Sequence, residues 1–322
     1  MASQLVCFLL VFALSGCGND TPKSTPAQQQ PAVTSPQTIP VFDGQFAFKY
    51  LIAQTDFGPR TPNSVGHRNC LNYLESEMMK FADAVNLQPF TVTGYKGEAL
   101  NLTNVISSFN LNATTRILLI AHWDTRPRAD QEKDPKRQSK PILGANDGAS
   151  GIAVLMEIAR QLKLHAPAVG VDMLFVDGED YGKEHDLHYY FLGAKYFAKN
   201  LPPGFAPAFG ILLDMVGDKQ LQIPKDRYSM EQALDIVELV WNTARELNVP
   251  EFVNETYRVD ISDDHVPLNH AGIKTTDLID FNYPDDTNRY WHTTEDTPDK
   301  CSAGSLEAVG KVLVHIIYTY QH

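Results

Sequence analysis

Several histidines and carboxylates stand directly behind short apolar runs, and their types suit a divalent metal with an acid/base partner beside it. His122 and Asp124 follow Arg116 to Ala121 (Arg-Ile-Leu-Leu-Ile-Ala), Glu179 and Asp180 come after Val171 to Val176, and Asp214 closes Phe209 to Leu213. Asp147 lies in the small-residue stretch Gly144 to Gly151, Asp263 and Asp264 precede His265-Val-Pro267, and His292 sits in Trp291-His-Thr-Thr294. Catalytic zinc takes three protein ligands from His, Asp, Glu or Cys and keeps one position open. Carboxylates gathered at one place repel one another, and a cation relieves the repulsion. Of two adjacent carboxylates such as Glu179 and Asp180, one can bind metal while its neighbour points elsewhere and takes a proton. Taken singly, each segment also has a plainer reading. Asp147 could cap a following helix, Glu179 and Asp180 could form a solvated turn, and His292 could be a surface histidine.

The apolar runs imply the scaffold that would gather these groups. Short runs with no polar face, with Thr276 to Ile279 as a fourth, are typical of central strands in a largely parallel sheet. Helical spacing appears in Leu71, Leu74, Met78 and Phe81, in Ile152, Leu155, Ala159 and Leu162, in Ala233, Val237, Val240 and Leu247, and from Leu306 to Tyr320. The alternation predicts an α/β fold, with a mixed, mostly parallel central sheet flanked by helices on both faces. Ligands in such sheets bind at the carboxyl edge of the strands, where the acidic residues fall. Small residues around Asp147 would let the chain turn tightly and the next helix pack close. The charged stretch Arg126 to Lys140 has no apolar period and reads as a surface loop.

With 322 residues, 43% hydrophobic and 20% charged, the composition is that of an ordinary globular protein, and a net charge of −12 argues against nucleic acid as a partner. Leu5 to Leu14 is an apolar run too short to span a bilayer, and it ends in Leu14-Ser-Gly-Cys17. That ending resembles a bacterial lipoprotein signal. It implies a signal peptide over 1–16, a lipidated tether over 17–40 rich in Pro, Gln, Thr and Ser, and a single catalytic domain over 41–322. The expected setting is the cell envelope, either periplasm-facing or at the outer membrane, with the chain anchored to a membrane through Cys17. Cys70 and Cys301 could pair in an oxidising compartment or remain two buried thiols. A monomer is the simpler expectation.

The ordered series His122-x-Asp124, Gly144-Ala-Asn-Asp147, Asp177-Gly-Glu179-Asp180, Leu213-Asp214, Asp263-Asp264-His265-x-Pro267 and Trp291-His292-Thr293 resembles the zinc aminopeptidase superfamily. Within it, the series looks most like the glutaminyl cyclases, from about Asn104 to the C-terminus. The resemblance implies an α/β/α sandwich that closes the N-terminal glutamine of a peptide to pyroglutamate and releases ammonia, a glutaminyl-peptide cyclotransferase of the acyltransferase class. It implies one Zn²⁺ per chain held by Asp147, Asp180 and His292, with Glu179 as general base and acid. Asp214 and Asp263 would form a hydrogen-bond network around the substrate, and Trp291 would wall the pocket. Asp180 stands where animal cyclases have Glu, and Asp277 where they have a histidine. The stretch Tyr181 to Tyr190 lacks an expected tryptophan, whose ring Tyr189 or Tyr190 could replace. The alternative is a two-zinc aminopeptidase that removes N-terminal residues, with His122 and Asp214 holding the second metal.

Overall fold

Runs that have no polar face to give to water must be covered on both sides, and here they lie next to one another. The computed structural model describes residues 38–320 apart from 184 and 185, together with positions 9, 11 and 13. Nearly all of the proposed signal and of the proposed tether, Cys17 included, lies outside the described residues. From Thr38 onward the chain forms one unit.

The four apolar runs are strands β3 (Arg116–His122), β4 (Gly170–Val176), β5 (Phe209–Asp214) and β8 (Thr275–Ile279). They pair in parallel, in the order β4-β3-β5-β8. An antiparallel hairpin of β1 (Ala84–Thr93) and β2 (Ala99–Phe109) extends the sheet beyond β4. Ile117, Leu119 and Ala121 of β3 point to one face, where they pack with α1 (Gly44–Thr55), α2 (Val65–Phe81), α3 (Ala149–Leu164), α6 (Leu234–Glu246) and α8 (Ala303–Thr319). Leu118 and Ile120 point to the other, against α4 (Leu192–Lys199) and α7 (His265–His270). Each fully buried aliphatic side chain of this kind contributes ~1.5–3 kcal/mol. The remaining pieces, the parallel pair β6 (Ile223–Lys225) and β7 (Phe252–Thr256) with the short α5 (Arg227–Gln232) between them in sequence, sit outside the main sheet.

Two glycines bring α3 against the strand ends. A Cβ on Gly151 would stand 2.4 Å from the Leu213 carbonyl oxygen and 2.9 Å from Ala121 Cβ, so only glycine permits the approach. Gly148 has φ +105°, and a Cβ there would meet the Asp124 carbonyl oxygen at 2.4 Å. Gly148, and not Asp147, is the N-cap of α3, and no side chain caps that end. The helix-cap reading of Asp147 is thereby removed.

One other expectation changes, and one open alternative closes. The stretch 126–140 has no helix or strand, but it is not wholly a surface loop: Arg126, Ala129 and Glu132 are buried. Arg126 and Glu132 are held by polar partners distant in sequence, which apolar periodicity cannot reveal. Cys70 and Cys301 are both buried and both free.

Candidate active site

The carboxyl edge of the parallel strands carries the chemistry. β3 ends on His122 and β5 on Asp214, while β4 runs into Asp177 and then Gly178, whose left-handed φ of +73° turns the chain into Glu179 and Asp180. Asp147, Asp180 and His292 are all buried, and each offers one donor atom within 4.8 Å of the other two. His292 Nε2 lies 3.3 Å from Asp180 Oδ1 and 3.5 Å from Asp147 Oδ2. His122, Asp147 and Asp214 form a second such group. There His122 Nε2 is 3.3 Å from Asp147 Oδ1 and 3.1 Å from Asp214 Oδ1. Asp147 therefore turns one oxygen to each histidine.

The first group suits zinc. Its donors are two carboxylates and an imidazole, the mixture catalytic zinc takes from proteins. Asp180 Oδ2 is buried with no hydrogen-bond partner. A buried carboxylate oxygen left in that condition is costly unless a cation or donor meets it.

The electrostatics divide Glu179 from Asp180. Burial, then the Asp180 charge, pushes the Glu179 carboxyl well above its ordinary range, and Asp263 and Asp264 add to the effect. Burial pushes Asp180 upward too, but the neighbouring His292 and Arg126 outweigh it and hold that carboxyl low. Adjacent carboxyls driven in opposite directions are the pattern by which an acid/base group is set apart from an ionised neighbour. Glu179 Oε2 lies 3.9 Å from His122 Nδ1. Burial works against charging His122, but Asp214 and hydrogen bonds to Asp124, Asp147 and Asp214 raise it well above the usual imidazole value.

Asp263 belongs, with Asp264 and Asp277, to a further set of buried carboxyls. Its Oδ1 accepts a 2.5 Å hydrogen bond from the Asp264 amide, and its Oδ2 has no partner. Burial first, then Asp214 and Asp264, raises Asp263 well above the carboxylate range, and burial pushes Asp264 up to about 8. Asp277 is raised in the same way, by burial and then by Asp263.

Trp291 stacks on the His292 ring, with centroids 3.8 Å apart and planes 24° from parallel. His292 itself has φ +52°, Met215 behind Asp214 has +50° and Phe191 has +57°. Non-glycine residues in that region are uncommon and strained, and they cluster at functional sites. Tyr190 and Tyr189 part company. The Tyr190 hydroxyl accepts a 2.9 Å hydrogen bond from Arg126 Nη2, which ties it to the Asp180 side of the site. Tyr189 instead packs edge-on against Tyr95 and Tyr181, beside the β1–β2 hairpin.

Several residues that hold the site in place were not assigned that task from sequence. The Asp124 carboxylate accepts the amides of Glu179 (3.0 Å) and Asp180 (3.3 Å). Asp296 accepts those of Asn146 (2.8 Å) and Asp147 (3.1 Å) and the Tyr283 hydroxyl (2.9 Å). Arg60, fully buried, donates to the carbonyls of Trp123, Leu143 and Gly144 and so pins the loop ahead of Asp147. Asp124 was visible in His122-x-Asp124, whereas no local pattern marks Arg60 or Asp296.

An α/β/α sandwich that gathers buried histidine and aspartate donors about one shared aspartate, at the carboxyl edge of its parallel strands, has the architecture of the zinc aminopeptidase superfamily. Within that superfamily the chain belongs to peptidase family M28, whose family model matches residues 104–317. It is 24% identical over 268 residues to the glutaminyl-peptide cyclotransferase of Bos taurus, covering 72% of this chain and 69% of that one. Among solved structures, it is 40% identical to a Bacteroides thetaiotaomicron glutaminyl cyclase bound to N-acetylhistamine, with a TM-score of 0.85 over 88% of this chain and 100% of the other. A structure described as a leucine aminopeptidase precursor from the same species is 39% identical, with a TM-score of 0.84 and the same coverage.

Proposed function

We propose that this chain is a zinc-dependent glutaminyl-peptide cyclotransferase, which converts the N-terminal glutamine of peptides and proteins to pyroglutamate and releases ammonia. The observation that carries the reading is the Glu179–Asp180 pair. One carboxyl is held low between His292 and Arg126, and its neighbour is pushed well above the ordinary carboxyl value by burial and by the Asp180 charge. Asp147, Asp180 and His292 would hold one zinc ion. Zinc bound there would supply Lewis-acid polarisation of the glutamine side-chain carbonyl.

Glu179 takes a proton from the α-amine as its nitrogen bonds to the side-chain carbonyl carbon. It passes that proton to the amide nitrogen as the old carbon–nitrogen bond breaks and ammonia leaves. Asp263 accepts a hydrogen bond from the departing amide, and Asp214 supports the same network. Trp291, with Tyr190, walls a small pocket that folds the side chain back on its own amine, a proximity effect, while Tyr189, turned to Tyr95 and Tyr181, takes no part in that wall. The test is ammonia release from a Gln-peptide together with zinc content. Glu179→Gln is expected to keep its zinc and lose ~10²–10⁴-fold in turnover; full turnover would remove Glu179 from the mechanism.

A second reading, a two-zinc aminopeptidase, is favoured by the group His122, Asp147 and Asp214. It requires two zinc ions per chain and free leucine from a Leu-peptide, where the cyclase reading requires one zinc and ammonia.

We further propose that the chain is exported as a monomer and anchored to the cell envelope by lipid on Cys17, with 17–40 as tether. The support is the sequence pattern at Leu14-Ser-Gly-Cys17. Cys17→Ser should move the protein from the membrane to the soluble fraction, and unchanged membrane association would sink the idea.

A further inference from the structure

A single buried guanidinium reaches three parts of the site. Arg126, whose side chain is 1% exposed, donates from Nη1 to Asp180 Oδ1 at 2.5 Å and to the Asp180 carbonyl at 3.3 Å. Its Nε and Nη2 grip both oxygens of Asp130 at 2.7 Å, and Nη2 also donates to the Tyr190 hydroxyl. Asp130 Oδ1 in turn lies 3.9 Å from His292 Nδ1, on the side of the imidazole away from Asp147 and Asp180. Five directed contacts on a rigid planar fork leave Arg126 no freedom to turn, and a lysine could not reproduce them.

We propose that Arg126 is a positioning residue that sets how Asp180 meets the metal. This rests on the reading of Asp147, Asp180 and His292 as the zinc ligands. By holding Oδ1 and the backbone of Asp180 together, the guanidinium fixes the carboxylate plane and occupies Oδ1, so that the unpartnered Oδ2 is the oxygen left for a cation and Asp180 would not chelate with both. A chelating Asp180 would take up the position that a catalytic zinc keeps open for its substrate. Through Asp130 the same guanidinium places a carboxylate behind His292, and through Tyr190 it ties the metal ligand to the segment proposed as pocket wall.

The test uses the full chain and the variants Arg126→Lys and Arg126→Met, with zinc affinity measured by competition with a chromogenic chelator. The visible spectrum of the cobalt-substituted protein reports coordination number. Partners behind a metal ligand typically govern ten- to a hundredfold in affinity, so both variants should bind zinc about ten- to a hundredfold more weakly. The cobalt bands should weaken as a four-coordinate ion gains a fifth donor. If Arg126→Met does not fold, Arg126→Lys alone decides, since it keeps the charge and the stem. An Arg126→Lys protein with lowered stability but wild-type zinc affinity and cobalt spectrum would reduce Arg126 to a structural residue and overturn the proposal. A wild-type chain that binds no zinc would overturn the ligand assignment itself, an outcome separable from the first.

Discussion

Replacing Asp124 with asparagine tests whether the turn that presents Glu179 and Asp180 is held from behind. The carboxylate is fully buried and accepts the Glu179 amide on Oδ1 at 3.0 Å and the Asp180 amide on Oδ2 at 3.3 Å. Asparagine keeps the shape but has one acceptor oxygen, and its NH₂ must face one of the two N–H groups. A buried donor left without an acceptor costs ~1–3 kcal/mol. The surviving bond changes from a charged acceptor to a neutral one, a further loss of ~1 kcal/mol. The sum is about 2–4 kcal/mol, and the 3.3 Å bond argues for the lower half if it is the one lost. If half of the lower value, about 1 kcal/mol, is felt as misplacement of Glu179 in the transition state, turnover falls about fivefold, since ~1.4 kcal/mol is a factor of ten. Urea unfolding of the chelated protein reads the first quantity, and kcat on a Gln-peptide at saturating zinc reads the second. An Asp124→Asn protein within ~0.5 kcal/mol of wild type and with wild-type kcat would refute the argument that these two hydrogen bonds hold the turn.

Three further outcomes are expected. Gly151→Ala drives a Cβ to 2.4 Å from the Leu213 carbonyl oxygen, so α3 must back away from β5 at a cost of ~1–3 kcal/mol; an unchanged melting temperature would contradict the close approach. Chelation of protein held with zinc at about a thousand times Kd should cost about 4 kcal/mol of unfolding free energy, by mass action, and equal unfolding curves with and without chelator would mean that the fold binds no zinc. Burial pushes Asp280 up to about 7, whereas an unfolded aspartate titrates near ~3.9. The folded chain thus holds a proton that the unfolded chain releases, and this carboxyl's contribution to stability falls as pH rises from about 4 to about 7, by at most ~1.4 kcal/mol per pH unit. Asp280→Asn lacks that slope, so wild-type stability minus variant stability should decline between pH 5 and pH 7, and a constant difference would refute the assignment.

The parallel strands were legible because a strand covered on both faces must be largely apolar, as β4 is apart from Asp172 and β5 is up to Asp214. The β1–β2 hairpin was not, because β1 is an outer strand, largely exposed and carrying Pro89, and its residues give no sustained alternation. The polar groups behind the strands could be read as candidates since each follows a recognisable run. The groups that brace them could not. Arg60 and Asp296 act on backbone amides and carbonyls far away in sequence, and the chain offers no periodic trace of such bonds. The stretch from Arg126 misled for the same reason: charge suggested solvent, while the guanidinium is buried against Asp180 and Asp130. Tyr189 and Tyr190 were indistinguishable as neighbouring aromatics, and only the path of the chain after Asp186 sends one ring to the Tyr95 cluster and the other to Arg126.

The stack of Trp291 on His292 makes two adjacent rings behave as one lever. Because the imidazole is seated on a backbone with φ +52°, a molecule that wedges the indole aside would twist the neighbouring ring with it. On the proposed reading of His292 as a zinc ligand, a compound that displaces the indole would therefore weaken the grip on the metal as well.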